Sequence, residues 1–152
     1  MDYNYYMSLA YNQALLAFDA KEAPIGCVIV LNGTVIGSGY NMRYTKKNVL
    51  YHAELIAINE ASEAVGDWRL EGAVLFVTIE PCPMCAGAII QARIKEVVFA
   101  AENKKAGCAG SVMNLFDETG FNHKVMVTKG IMAEECSALM SRFFLELRSN
   151  SL

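Results

Sequence analysis

The sequence predicts an α/β layer architecture built on one mixed sheet of about five strands. Three observations carry that prediction: short apolar runs rich in β-branched residues, helical periodicity between them, and one two-residue hairpin signal near the N-terminus. The 152 residues amount to one domain's length, enough to bury a core.

Residues 5–20 carry Tyr6, Leu9, Ala10, Ala14, Leu16 and Ala17 at helical spacing, which predicts an amphipathic helix. Pro24 follows its end, and residues 25–31 form a β-branched apolar strand. Asn32-Gly33 marks a two-residue turn, because both positions tolerate positive φ, and residues 34–40 form the return strand. Residues 52–64 turn helical again. Beyond Gly66 the reading is a strand at 73–78, a helix at 82–92, a strand at 97–101 and a short strand at 124–128. A long terminal helix over residues 133–148 follows, with Leu139, Phe143 and Leu147 on one face. No linker, repeat or low-complexity stretch interrupts the chain, so residues 1–152 read as one domain.

Composition narrows the function classes. The chain is 54% hydrophobic and 19% charged, which leaves less polar surface than usual and room for an interface between subunits. No apolar run approaches membrane-spanning length, and Met1-Asp2-Tyr3-Asn4 does not begin a signal peptide, so the expected location is the cytoplasm. Five cysteines without an export signal argue against a disulfide framework and for metal or catalytic use of any close pair. A net charge of -3 argues against a bulk electrostatic grip on nucleic acid but leaves room for a local basic patch.

The chemistry sits in two segments, His52-Ala53-Glu54 and Pro81-Cys82-Pro83-Met84-Cys85. Two soft thiolates and one imidazole suit zinc. Cys82 and Cys85 are three apart, so in the first turn of a helix they share a face. Pro81 and Pro83 fit a helix start, and a helix N-terminus lowers thiol pKa toward the metal-binding thiolate. His52 and Glu54 are two apart and diverge on a regular helix, so they can face one site only if the motif straddles the helix start. The sequence therefore predicts a zinc held where two helices begin. Three ligands leave a tetrahedral zinc one open position, where bound water loses its proton near neutral pH. Glu54 is the candidate proton shuttle beside it, and not a ligand.

Blander readings exist for each piece. A lone Cys-x-x-Cys also suits a redox pair or half a structural zinc knuckle, and a lone His-x-Glu is usually a helix surface. A structural site needs a fourth ligand from Cys27, Cys108, Cys136 or His123. Cys27 and Cys136 fall in apolar patterns typical of core cysteines. Cys108, in the loop Gly107-Cys108-Ala109-Gly110-Ser111, is the one to watch.

Together the two segments resemble the signature of the cytidine/deoxycytidylate deaminase superfamily. Further segments resemble the bacterial tRNA-specific adenosine deaminases. They are Pro24-Ile25-Gly26, Val35-Ile36-Gly37 through Tyr40-Asn41, Glu80-Pro81-Cys82 with Met84-Cys85-Ala86-Gly87-Ala88, and Val97-Val98-Phe99. Toward the C-terminus come Ala109-Gly110-Ser111, Asn122-His123-Lys124-Val125, Gly130-Ile131, Glu135-Cys136 and Phe143-Phe144. The block from Asn122 to Arg148 is more specific than the superfamily-wide zinc motif.

The resemblance implies a cytidine-deaminase-like three-layer α/β/α fold and a homodimer with one Zn2+ per chain. It implies conversion of adenosine to inosine at the wobble position of a tRNA anticodon stem-loop, with the base extruded into the zinc pocket. It also implies that Asn41 contacts the flipped nucleotide and that Ala53 offers it a backbone N–H. By the same resemblance, residues 102–111 and the terminal helix border the anticodon loop.

The sequence departs from that family at Val49-Leu50-Tyr51, where a Pro-Thr-Ala-type run is usual, and at Glu102-Asn103-Lys104-Lys105-Ala106. Both segments lie near the expected substrate and bear on its identity more than on the zinc. Arg43, Lys46, Lys47, Lys104, Lys105, Arg142 and Arg148 form the candidate phosphate footprint. His123 stays open between a backbone bond and a substrate contact. Two further readings are a deaminase of a free nucleobase or nucleoside, and a silent RNA-binding or scaffold subunit. The intact Glu54 speaks against the second, which needs no proton shuttle.

Overall fold

The structure, a computed structural model, describes residues 1–150. Helix α1 spans Tyr3–Asp19, and the Asp2 side chain caps it by accepting the Tyr5 N–H at 3.1 Å. Met7, Ala10, Ala14 and Ala17, three and four residues apart, form its buried stripe. Leu16 lies about 100° around the helix from Ala17. It is 47% exposed, which corrects its expected place among the packed apolar residues.

Strands β1 (Gly26–Leu31) and β2 (Thr34–Tyr40) form the expected hairpin. Asn32 and Gly33 take φ of 51° and 78°, the left-handed pair that a two-residue turn of this twist demands. A single-turn helix α2 (Arg43–Lys46) precedes α3 (Ala53–Val65). Then β3 (Val74–Ile79), α4 (Pro83–Gln91) and β4 (Glu96–Ala101) make a parallel βαβ unit. A 3-10 turn at Leu115–Asp117, β5 (Met126–Lys129) and α5 (Ala133–Asn150) complete the described chain. Helix α2 and the 3-10 turn have no counterpart in the sequence reading, because one turn is too short to register a period.

The sheet order is β2-β1-β3-β4-β5. Its β2/β1 and β1/β3 pairs are antiparallel and its β3/β4 and β4/β5 pairs parallel, so the sheet is mixed, as expected. Alternation along the central strands supplies both faces at once. Cys27, Ile29, Leu75, Val77, Val97 and Phe99 join a cluster with Ala53, Ala57 and Ala61 of α3 and Ile89 and Ile90 of α4. Val28, Val30, Val74, Phe76, Val98 and Ala100 join Met7 and Ala10 of α1 and Cys136 of α5 on the other side. The result is the three-layer α/β/α arrangement that the resemblance implied.

Helix α5 buries Cys136 and Leu139. Later turns leave the sheet behind: Phe143 is half-buried with its ring 6.2 Å from Phe18, and Leu147 is 52% exposed. The expected apolar face thus holds at Leu139, weakens at Phe143 and fails at Leu147. Among the described residues no helix is long and apolar enough to cross a membrane.

Candidate active site

The carboxyl ends of β3 and β4 face the starts of α3 and α4, the edge at which open α/β sheets take ligands. Chain geometry at these helix starts sets the donor positions. Cys82 is the N-cap of α4 with extended backbone, Pro83 is the first helical residue, and Cys85 is the third. One turn of helix therefore brings both sulfurs to the same side. His52 is the N-cap of α3 at φ -83° and ψ 151°, while Ala53 and Glu54 are already helical. That break in conformation turns His52 and Glu54 toward one site despite their separation of two, as the straddling motif requires.

His52 Nδ1 lies 3.7 Å from Cys82 Sγ and 3.6 Å from Cys85 Sγ. The three donor atoms all lie within 4.8 Å of one another. Ordinary zinc–nitrogen and zinc–sulfur bond lengths put neighbouring N and S donors of a tetrahedron about 3.6 Å apart. The donor set and its spacing therefore fit zinc. Among the described residues no fourth His, Cys, Asp or Glu joins the group.

A cavity of about 230 Å³ opens beside these donors, walled by His52, Ala53, Glu54, Cys82, Asn41 and Arg43. Of the residues expected to bind metal, move protons or touch the base, all line it except Cys85, which is fully buried. Asn41 is held rigidly: its amide donates to the Ala23 carbonyl at 3.3 Å and its oxygen accepts the Arg43 N–H at 3.2 Å. Ala53 opens α3, where backbone N–H groups have no partner within the helix.

Electrostatics separate the titratable groups. Burial raises the Glu54 carboxyl to about 7; the Glu54 backbone N–H opposes the rise, and the Cys82 thiolate adds to it. Hydrogen bonds from Cys85 and His52 bring Cys82 down to about 4, against the effect of burial. Donating to Cys82, together with burial, pushes Cys85 up. His52 is raised by its bond to Cys82.

The other candidates fall into place around this centre. Cys27 and Cys136 are core residues, as expected. Cys108 is buried and directs its thiol to the Ala106 carbonyl at 3.6 Å. His123 bonds the Ile94 carbonyl at 2.7 Å, which resolves its open reading in favour of a backbone bond. Lys46, Lys47, Lys104 and Lys105 are exposed on the segments flanking the cavity. Arg142 is engaged elsewhere, stacked 4.8 Å over Phe18 and bonded to Glu146 at 3.2 Å. No residue of α5 lines the cavity.

Sequence reasoning placed residues 102–106 near the substrate but gave no role to Asn103 and Ala106, which also line the cavity. It also passed over two fully buried carboxylates. Glu22 accepts the Thr45 N–H at 2.6 Å and the Tyr44 N–H at 3.1 Å, fixing the turn that carries Arg43. Glu80 binds the loop that carries Asn103. Neither carries a local signal: Glu80 ends an apolar strand run and Glu22 stands three residues before one, and acidic residues at such places are usually exposed.

Three side chains able to hold a metal, beside a buried carboxyl, fit one class: a hydrolase that activates water. The chain belongs to the MafB19-like deaminase family, whose model matches residues 1–148. It is 49% identical to a tRNA-specific adenosine deaminase of Bacillus subtilis (strain 168) over 143 residues, 94% of this chain and 89% of that one. A structure from a study of A-to-I editing by tRNA:A34 deaminases at the wobble position of transfer RNA matches with a TM-score of 0.85. Identity is 38%, with 89% of this chain and 98% of that chain covered. A guanine deaminase from Bacillus subtilis matches with a TM-score of 0.66 at 31% identity, over 93% of this chain and 94% of that one.

Proposed function

We propose that this chain hydrolyses adenosine to inosine at the wobble position of a tRNA anticodon, as one deaminase unit holding one Zn2+. His52, Cys82 and Cys85 are the ligands in this reading, and Glu54 is the proton shuttle. The observation that carries it is the convergence of three donors and one non-ligand carboxyl on a single cavity at the starts of α3 and α4. The likeness to tRNA-specific adenosine deaminases over nearly the whole chain supports the substrate.

When bound, the zinc supplies Lewis-acid activation of water. The protein's own groups do the rest. Water adds at C6 of the adenine ring, and the exocyclic amine leaves as ammonia. Glu54 takes the proton of the attacking water and delivers it to the departing amine, and a carboxyl near neutrality gives and accepts protons with similar ease. Asn41 and the Ala53 N–H orient the base. Lys46 and Lys47 on one rim, and Lys104 and Lys105 on the other, meet the RNA backbone. The protein works in the cytoplasm as a homodimer, a reading supported by the resemblance and by exposed Val49 and Leu50 beside the cavity.

The test is incubation of the purified zinc protein with an anticodon stem-loop that carries adenosine at the wobble position. Inosine forms at that adenosine and not at adenosines in the stem. Absence of inosine, with ammonia released from free guanine, transfers the chain to the free-base reading that the guanine deaminase likeness favours.

A further inference from the structure

We propose that Glu80 is a positioning residue for the substrate base, holding the loop of residues 103–111 as one wall of the pocket. This rests on the deaminase reading above. Glu80 follows β3 and lies two residues before Cys82, and it is 2% exposed. Its carboxylate forms no ion pair among the described residues. Instead it accepts four donors, all from one loop. Oε1 takes the Asn103 N–H at 3.1 Å and the Ser111 hydroxyl. Oε2 takes the Ala109 N–H at 2.8 Å and the Ser111 N–H at 3.1 Å.

The loop is folded around this carboxylate. The Gly107 N–H bonds the Asn103 carbonyl at 2.8 Å, and the Asn103 side chain accepts the Ala106 N–H at 3.1 Å. A Cβ at Gly107 would collide with both the Glu80 carboxyl and the Asn103 carbonyl, so only glycine lets the chain pass this close. A last tie runs from the Cys108 N–H to the Pro81 carbonyl at 2.8 Å. Asn103 and Ala106 are the residues of this loop that reach the cavity.

One carboxylate at the β3–α4 junction thus fixes the loop wall relative to the wall that carries Cys82. A buried charge without a cation is costly unless its hydrogen bonds are complete, and here each bond immobilises the loop. The consequence is specific. Weakening the anchor widens the pocket and loosens the base, while His52, Glu54, Cys82 and Cys85 keep their places on α3 and α4.

The experiment compares Glu80→Gln and Ser111→Ala with the wild type as zinc-loaded proteins. It measures metal content, amide exchange in residues 103–111, and kcat and KM on the anticodon stem-loop. Glu80→Gln, which turns an acceptor into a donor, raises KM at least about tenfold, while kcat changes less than about threefold and zinc stays at one per chain. Exchange in the loop quickens by at least about tenfold, and Ser111→Ala moves both readouts the same way by less. If Glu80→Gln does not fold, Ser111→Ala alone carries the test, since it removes one bond from a loop hydroxyl. Unchanged loop exchange in the folded variants overturns the inference, as does loss of zinc with kcat falling in step. A wild type that makes no inosine overturns the tRNA reading instead; the split is then measured on the free base that it does turn over.

Discussion

Glu54 occupies the second position of α3, buried against the Cys82–Cys85 pair, and burial rather than any charged partner dominates its chemistry. General acid–base catalysis of this kind contributes about 10² to 10⁴ in rate. Glu54→Ala therefore lowers deamination by at least about a hundredfold while zinc content, measured by elemental analysis, stays near one per chain. Activity surviving within about tenfold of wild type contradicts the shuttle role. The three donors behave differently. Replacing His52, Cys82 or Cys85 removes zinc and activity together and lowers Tm, because metal binding is linked to folding. Cys108→Ala keeps the metal, since Cys108 lies outside the donor cluster. X-ray absorption that counts four protein ligands in the native enzyme defeats the open-position account.

Among the elements, the two loops that flank the cavity decide what can enter it. Glu22 holds the turn at residues 43–46, and Glu80 holds residues 103–111; between them the exposed lysines face outward. If these charges meet phosphates, removing Lys104 and Lys105 together weakens RNA binding. The slope of log K against log salt then becomes shallower by about 0.7 for each lost phosphate contact. Binding that keeps both its strength and its salt slope speaks against an RNA backbone there. Most elements were legible from the sequence because they repeat a period. The Ala53, Ala57, Ala61 stripe repeats a helical period, and the unbroken apolar run of residues 25–31 marks a strand buried on both faces. The site was legible for a different reason: ligands sit at helix caps, where three-residue and two-residue spacings carry geometric meaning. Long-range anchoring was not legible. Neither the pairing of Glu22 with residues 44 and 45 nor that of Glu80 with residues 103–111 leaves a local pattern. Leu16 and Leu147 misled because apolar character alone does not say where a helix meets the sheet.

Across the whole molecule, the single chain leaves Phe144, Leu145 and Leu147 exposed near one end and Val49 and Leu50 exposed beside the cavity. Apolar surface of this kind, with 54% hydrophobic composition, fits burial against a second copy. Light scattering at micromolar concentration gives the mass of a dimer, and a strictly monomeric mass contradicts that reading. Substrate size is the larger question. A cavity of about 230 Å³ accommodates a base, while the charged rims extend beyond it over loops that a free base would not touch. The deciding measurement compares kcat/KM for a wobble-adenosine stem-loop with kcat/KM for free adenosine, cytidine, cytosine and guanine, in one preparation of zinc-loaded enzyme. A tRNA substrate gives a preference for the stem-loop of at least about a thousandfold, falling as salt rises. Equal or greater efficiency on a free base, unaffected by salt, contradicts it.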